Sequence, residues 1–261
     1  MVSDLNTVVL KLGGSVITSK SIPERPNVHA VKRLAREIAE ASVERLVVVH
    51  GGGSFGHPMA QACSRRPGDE RLAGLSATHL SMLRLNHLVV SSLLEAGVNA
   101  FPLHPSSLLR VGGGRLEGLG LDLVSHLLDA GMTPVLYGDV VPDLDGDLTI
   151  VSGDQIASSL AVELQAERLI FCLDVDGIRV GNRILRRVRP EDLEDVLKTM
   201  QPSAPDVTGG IRNKLVEAFR ASEVPPVMAE IISGILNLCP RNSTPSPTSS
   251  RSISGRALWT R

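Results

Sequence analysis

Two short apolar runs near the start of the chain each end in glycines, and this pattern constrains the fold more than any other feature. Residues 7–12 read TVVLKL and precede Gly13 and Gly14, whereas residues 45–50 read RLVVVH and precede three glycines. Short runs rich in β-branched residues and stopped by glycine are typical of buried strands. Ligands of α/β proteins bind at the carboxyl ends of such strands. Both glycine loops are therefore candidates for one binding site.

Segments typical of strands and of helices alternate along the rest of the chain. Apolar residues recur at helical spacing over residues 28–42 and 76–96. Further strands are predicted at 98–103, 133–141, 168–177 and 225–232, a glycine-turned hairpin at 110–118, and further helices at 119–130, 154–165, 190–200 and 210–222. This alternation predicts an α/β sheet with helices on both faces.

The second glycine loop also matches a dinucleotide-binding pattern. Gly51, Gly53 and Gly56 satisfy G-x-G-x-x-G, but that fold requires a strand that ends in an acidic residue about 20 residues later. Here Asp69 and Glu70 are predicted to lie in a polar loop. The GxxxxGK[ST] motif of P-loop kinases occurs nowhere in the chain. Neither of these two nucleotide-binding folds is therefore indicated.

Basic residues stand beside the glycine loops. Lys11 precedes the first loop, and His50 and His57 flank the second. Glycine lets several backbone N–H groups approach one anion, and a following helix adds its positive end. A further glycine-rich turn at 206–214 ends in Lys214, which alone would be interpreted as a solvated residue of an amphipathic helix. Together these features favour phosphate binding.

Composition argues against several other classes of function. The formal net charge is −1, which speaks against a general surface for nucleic acid or anionic membranes. Aromatic residues form 2% of the chain, too few for base-stacking platforms. The three cysteines contain no CxxC pair, so no metal cluster or disulfide framework is indicated. Without a signal-peptide pattern or a long apolar stretch, we expect a cytoplasmic protein.

The order of the motifs resembles that of the amino acid kinase superfamily and, within it, of the isopentenyl phosphate kinases. The matching stretches are VLKLGGSVITSK (9–20), VVVHGGGSFGHPMA (47–60), VLYGDVV (135–141), VSGDQ (151–155), DVDGI (174–178) and DVTGGIRNK (206–214). One glycine motif is unspecific, but six in this order, including the histidine that ends GSFGH, form a specific signature.

This resemblance implies a three-layer α/β/α sandwich with a mostly parallel central sheet. It implies a lobe for the phosphoryl acceptor over residues 1–145, an ATP-binding lobe over 146–238 and an atypical Ser/Pro-rich tail over 239–261. The implied reaction is transfer of a phosphoryl group from ATP to isopentenyl phosphate, which gives isopentenyl diphosphate for isoprenoid synthesis by an alternative mevalonate route. Mg²⁺ as the companion of ATP and a homodimer are further expectations.

The resemblance also implies roles for individual residues. The implied catalytic residues are Lys11, Lys20, His57, Asp154 and Lys214. The implied acceptor-binding residues are Gly13, Gly14, Ser15, Gly52, Gly53, His57 and Gly153. The implied ATP-binding residues are Lys11, Asp174, Asp176, Gly177, Thr208, Gly209, Gly210 and Lys214. In this assignment the glycines donate backbone N–H groups, His57 binds the phosphate of the acceptor, and Asp154 positions the lysines.

The chain departs from the family pattern in two places. Leu173 stands where the family usually has threonine, and the final SGRALWTR only faintly matches the family's closing turn and strand. A phosphonate kinase of the fosfomycin type and an ATP-binding homologue without turnover therefore stay open as alternatives. The other histidines are assigned no catalytic role: His29, His79, His87, His104 and His126.

Overall fold

The centre of the protein is a seven-stranded sheet, counted over the residues that the structure describes. This structure is a computed structural model, and it describes residues 7–19, 21–56, 68–113, 115–118, 120–174, 178–180, 183–185, 193–199, 210–233 and 256–258. The strands are β1 (Val8–Leu12), β2 (Leu46–His50), β3 (Ala100–Pro102), β4 (Arg110–Gly112), β5 (Arg115–Glu117), β6 (Thr133–Tyr137), β7 (Asp139–Pro142), β8 (Leu148–Val151), β9 (Arg168–Leu173), β10 (Ile178–Val180), β11 (Arg183–Leu185), β12 (Met228–Ser233) and β13 (Arg256–Leu258).

The central sheet has the order β13-β12-β9-β1-β2-β6-β3. The strands from β12 to β3 in this order are all parallel, and β13 pairs antiparallel with β12. The helices are α1 (Gly14–Ile17), α2 (Val28–Ala41), α3 (Gly68–Glu95), α4 (Pro105–Leu108), α5 (Leu121–Asp129), α6 (Gly153–Glu163), α7 (Leu193–Thr199) and α8 (Gly210–Ser222).

Helices cover both faces of the sheet, because alternate residues of each buried strand point to opposite sides. On one side, Leu10 of β1 shares an apolar cluster with residues of α2 and α3, such as Leu34 and Leu85. On the other side, Val9 shares a cluster with Ile156 of α6 and Leu215 of α8. The predicted three-layer α/β/α sandwich with a mostly parallel sheet is thus confirmed.

Two sequence predictions differ from the structure by more than a few residues at the end of an element. The segment 133–141 was expected to be one strand, but Gly138 divides it into β6, which joins the central sheet, and β7, which forms an antiparallel hairpin with β8. The third helix starts at Gly68 instead of residue 76, so Asp69 and Glu70 occupy its first turn and not a loop. Acidic residues suit this position because the amino end of a helix carries partial positive charge.

The hairpin of β7 and β8 contains an acidic turn close to the predicted boundary between the two lobes. The division into two lobes stays a prediction. Within the Ser/Pro-rich tail, residues 256–258 form the edge strand β13. Within the described ranges, none of the helices combines the length and the apolar character that crossing a bilayer requires.

Candidate active site

The two glycine loops meet at the carboxyl edge of the sheet. Strands β1 and β2 are adjacent and parallel, so the loops that follow them emerge side by side. A Cβ atom on Gly14 would overlap the backbone N of Gly53, and one on Gly51 would lie 2.9 Å from the backbone N of Gly14. The two loops therefore pack backbone against backbone, which side chains at these positions would prevent.

The backbone N–H group of Gly13 is engaged within the fold. Its backbone N–H donates a hydrogen bond of 2.8 Å to the carbonyl of Cys172, at the end of the neighbouring strand β9. That N–H group is therefore occupied and is not a donor to a ligand. Gly13 instead caps α1, where Gly14 is the first helical residue.

One carboxylate joins two lysines at the base of these loops. Lys11 Nζ lies 2.7 Å from Asp154 Oδ1 in an ion pair, and both side chains are 3% exposed. From the other side, Lys214 Nζ donates a hydrogen bond of 3.1 Å to Asp154 Oδ2. Asp154 thus brings β1, α6 and α8 together at one point.

The start of α6 fixes the position of Asp154. Gln155 N donates to Ser152 Oγ, and Ser152 N donates to Gln155 Oε1, so the two residues form a capping box. A Cβ atom on Gly153 would lie 2.7 Å from the carbonyl oxygen of His50. The first turn of α6 is therefore locked against the end of β2, directly beside the second glycine loop.

Burial and charge act in opposite directions on this cluster. Burial lowers the pKa of the Lys11 amine, and the nearby ammonium of Lys214 adds to this, while Asp154 only partly opposes it. Burial raises the pKa of Asp154, but the two lysines outweigh burial, so its pKa lies below its ordinary value. Asp154 is therefore an ionised carboxylate that keeps two cations in place.

A cavity of about 910 Å³ opens above this cluster. Its lining includes these residues of the predicted site: Lys11, Gly14, Ser15, Gly52, Gly53, Gly153, Asp154 and Lys214. Its apolar lining includes Ile22, Leu75, Met82 and Ile150. The lining of the cavity thus contains both cationic, glycine-rich parts and hydrocarbon side chains, which suits a ligand with a phosphate group and an apolar body.

The remaining predicted site residues either lie away from the cavity lining or lie outside the described residues. Asp174 is exposed at the end of β9, and Gly210 begins α8; in the described part of the chain, neither lines the cavity. The others lie outside the described residues: Lys20, His57, Asp176, Gly177, Thr208 and Gly209. Their roles stay predictions.

The sequence analysis missed a buried acidic residue in the cavity wall. Asp139 is 1% exposed and lines the cavity next to Gly138. His79 Nδ1 lies 2.9 and 3.0 Å from its two carboxylate oxygens. Burial raises the pKa of Asp139, although His79 and two backbone N–H groups partly counter this. No sequence motif links positions 79 and 139, since only the fold brings α3 to β7.

A second missed feature is a polar network beneath the glycine loop. The ring of His50 stacks on Tyr137, with centroids 5.4 Å apart, and its Nε2 lies 3.2 Å from Asn86 Oδ1. Tyr137 Oη lies 2.9 Å from His104 Nδ1. Burial lowers the pKa of His50 to about 4, so this imidazole is neutral at physiological pH. His50 therefore supports the loop structurally and adds no charge to the site.

Comparisons with known proteins agree with this geometry. Residues 6–227 match the model of the Amino acid kinase family. The chain is 37% identical to the isopentenyl phosphate kinase of Methanothermobacter thermautotrophicus over 247 residues, which cover 87% of this chain and 90% of that protein. It is 41% identical to the isopentenyl phosphate kinase of Haloferax volcanii over 217 residues, which cover 81% of this chain and 86% of that protein.

A solved structure is similar over the same extent. An X-ray structure of isopentenyl phosphate kinase aligns with a TM-score of 0.76 and 33% identity, and the alignment covers 89% of this chain and 94% of that one. The family match, the curated relatives and the solved structure each span most of the chain. The chain therefore belongs to the amino acid kinase family.

Proposed function

We propose that this protein transfers the γ-phosphoryl group of ATP to isopentenyl phosphate, which yields isopentenyl diphosphate and ADP. The observation that carries the proposal is the Lys11–Asp154–Lys214 cluster at the glycine-lined end of a cavity whose wall is apolar. The names of the similar kinases support the same acceptor.

The cluster suits phosphoryl transfer because that reaction needs positioning and charge neutralisation more than covalent chemistry. Negative charge spreads over the equatorial oxygens of the transferred group in the transition state. Lys11 and Lys214 are preorganised by Asp154, so they need not reorient when this charge develops. The glycine loops add backbone N–H groups close to the same point.

The acceptor group requires no general base. A phosphate monoester has a second pKa of about 6 and is mostly ionised near neutral pH. Its oxygen is therefore already a nucleophile. Asp154 is engaged by two cations and is not poised to remove a proton. The reaction therefore needs no general base. This fits a cluster in which the Asp154 carboxylate is paired with the two lysines.

The apolar wall suits the hydrocarbon part of isopentenyl phosphate. Leu75 and Met82 of α3 are buried along the cavity, and Ile150 faces it from β8. Burying a methylene group from water is favourable by about 0.8 kcal/mol, so a short branched chain gains affinity here. An acceptor with a carboxylate in place of this chain would lose that contribution.

The roles of several other residues are part of the proposal. We assign His57 to the phosphate of the acceptor and Lys20 to the phosphoryl group in transfer, as in the family pattern. The ATP-binding set comprises Asp174, Asp176, Gly177, Thr208, Gly209 and Gly210 together with the two cluster lysines. Homodimer formation and a cytoplasmic location complete the proposal, and light scattering of the purified protein tests the first of these.

Mg²⁺ would enter with ATP. In the described residues, no group of three or more His, Cys, Asp or Glu side chains is placed to hold a metal ion. Both oxygens of Asp154 face lysines, so this carboxylate is not free for a cation. Mg²⁺ bound chiefly through ATP phosphates and water fits its known preference for retained water ligands. It would neutralise charge on the β- and γ-phosphates.

The test is ADP release by the purified protein with Mg-ATP and a panel of acceptors. The panel contains isopentenyl phosphate, dimethylallyl phosphate, geranyl phosphate, fosfomycin and N-acetylglutamate. We expect turnover with isopentenyl phosphate and its loss in His57→Ala. Lys32→Ala serves as the control, because Lys32 is an exposed lysine of α2 outside the cavity.

The outcomes separate the alternatives. Turnover with fosfomycin alone would mean that the protein is a kinase whose acceptor is a phosphonate and not isopentenyl phosphate. ATP binding in calorimetry without ADP release for any acceptor would mean a homologue that has lost turnover. Equal activity of the wild type and His57→Ala on isopentenyl phosphate would show that His57 does not bind the acceptor.

A further inference from the structure

Asp139 is a buried carboxylate that connects several elements of the cavity wall. His79 of α3 contacts both of its oxygens, and the nearby backbone N–H groups of Val140 and Ser106 favour its ionised form by lowering its pKa. Ser106 belongs to α4, which packs against β7, so the carboxylate lies where α3, α4 and β7 meet. Hydrogen bonds to an ionised group are stronger than neutral ones, and they fix the geometry of both partners.

His79 lies next to the residues of α3 that line the cavity. Thr78 precedes His79 directly and lines the cavity. Leu75 and Met82 lie about one helical turn to either side and line it as well. A shift of His79 relative to Asp139 would therefore move the apolar wall of the site as a unit.

Asp139 is also coupled to the phosphate end. It follows Gly138, whose N–H donates to the carbonyl of His50. A Cβ atom on Gly138 would lie 2.8 Å from the N atom of Gly153, the residue before Asp154. The peptide beside Asp139 thus packs against the backbone that holds the lysine cluster, and the pair bridges the two ends of the cavity.

A second tie between α3 and the same hairpin is weaker. Arg71 donates to both carboxylate oxygens of Asp147, at 2.8 and 3.0 Å, and to the carbonyl of Leu148. The Asp147 side chain is 61% exposed. Solvent screens an ion pair with an exposed partner, whereas the Asp139 carboxylate is buried, so the contact at Asp139 is the less screened of these two ties.

We propose that Asp139 and His79 are positioning residues that set the distance between the apolar wall on α3 and the phosphate-binding end of the cavity. This inference rests on the proposed function, because the wall is the part that receives the hydrocarbon of the acceptor. Neither residue acts on the reacting atoms. Their loss misplaces the acceptor while the ATP side, built around Lys214, stays as it is.

The experiment compares His79→Ala with His79→Asn, and adds Asp139→Asn as a second break of the pair. The Asn side chain places an N–H donor close to where Nδ1 of His79 lies, so it can keep the bond to Asp139. His87→Ala is the matched control, because His87 is exposed on the same helix. For each variant we measure kcat, the KM values for isopentenyl phosphate and for ATP, and the melting temperature.

We expect His79→Ala and Asp139→Asn to raise the KM for isopentenyl phosphate by about tenfold, because small misplacements of a bound substrate are costly. The KM for ATP should stay within about twofold, the range of surface substitutions. His79→Asn should have a KM for isopentenyl phosphate close to that of the wild type, and His87→Ala should match the wild type.

Folded His79→Ala with unchanged KM for isopentenyl phosphate would overturn the inference. An equal rise of both KM values, without rescue by His79→Asn, would also overturn it and leave the pair a purely structural contact. If the wild type itself shows no turnover with isopentenyl phosphate, the proposed function is wrong. The inference about Asp139 and His79 is then wrong as well, because it rests on that function.

Discussion

Lys11 Nζ and Asp154 Oδ1 lie 2.7 Å apart at a site where each side chain is only 3% exposed. The first residue comes from the end of β1 and the second from the first turn of α6. Lys214 of α8 approaches the other oxygen of the same carboxylate. Lys11 and Lys214 therefore share one anchor, and the chemistry that we propose depends on that anchor.

Asp154→Asn should lower kcat by at least about 100-fold, comparable to the loss of one preorganised group that stabilises transition-state charge. The amide keeps the shape of the side chain but removes the negative charge that faces the buried Lys11 amine and the partly buried Lys214 amine. Removing one partner of a buried ion pair costs about 3–5 kcal/mol, so urea unfolding should also show lower stability. Glu95→Gln, which breaks the exposed pair with Lys32, is the control and should change neither quantity appreciably.

The alkaline side of the pH profile should report on Lys11. Burial lowers its pKa below the ordinary value of 10.5, and only the protonated amine carries the charge that the reaction needs. At pH values below this pKa the charge is present, and as the pH rises through it, kcat/KM should fall, because that ratio reports on groups of the free enzyme. Lys11→Arg should lower the maximal kcat but remove this alkaline limb, since guanidinium stays charged. An identical limb in the wild type and Lys11→Arg would contradict the assignment.

His50 should make the protein less stable at acidic pH. Its pKa is about 4 in the folded state and 6.5 ordinarily, so the unfolded chain binds a proton that the folded protein rejects. Stability from this source is complete above pH 6.5 and is lost as the pH falls towards 4. The free energy of unfolding should thus fall by roughly 2 kcal/mol between neutral pH and about pH 5. In His50→Gln, urea titrations at both pH values should show a smaller difference.

Gly53→Ala should disrupt the paired glycine loops. Gly53 has φ +49°, and a Cβ atom there would overlap Thr18 Oγ1 and lie 2.6 Å from the carbonyl oxygen of Gly14. Gly146→Ala is the matched control, because Gly146 has φ +89° but a Cβ atom would meet nothing within 4 Å. The control should lose about 1 kcal/mol from backbone strain. We expect Gly53→Ala to lose more stability and nearly all ADP release; equal losses would contradict the packing argument.

Leu75→Ala should change the preference for acceptor chain length. Leu75 is a buried residue of the cavity wall, so its truncation enlarges the apolar end. The ratio of kcat/KM for geranyl phosphate to that for isopentenyl phosphate should rise. Leu80→Ala controls for the substitution itself, because Leu80 is 49% exposed on α3 and lies outside the cavity lining. If both variants give the same ratio, the apolar wall does not select the acceptor.

Much of the fold could be predicted because the buried strands are distinct in the sequence. β1 and β2 are runs of β-branched and aliphatic residues stopped by glycine, and both were placed within a residue of their observed bounds. Helix α2 follows the apolar spacing that was identified. The beginning of α3 was missed, because its first turns are polar and contain two glycines, so apolar periodicity starts only later.

The site was only partly predictable. Glycine-rich motifs stand beside Lys11, Asp154 and Lys214 in the sequence. The family resemblance therefore predicted that these three residues share one site. Asp139 and His79 carry no such signal, because their pairing depends on how α3 crosses β7. The break at Gly138 was missed for a similar reason: the contact with the start of α6 that requires glycine involves a residue distant in the chain.

The backbone contact between Gly14 and Gly53 has a consequence for how such an enzyme could be redesigned. The glycine loops beside the lysine cluster pack through main-chain atoms, which substitutions do not replace, and side chains at these positions would disrupt that packing. The apolar wall is built from side chains of α3 and β8, which can be exchanged one at a time. In directed evolution towards new acceptors, beneficial substitutions should therefore occur in the apolar wall and not in the glycine loops.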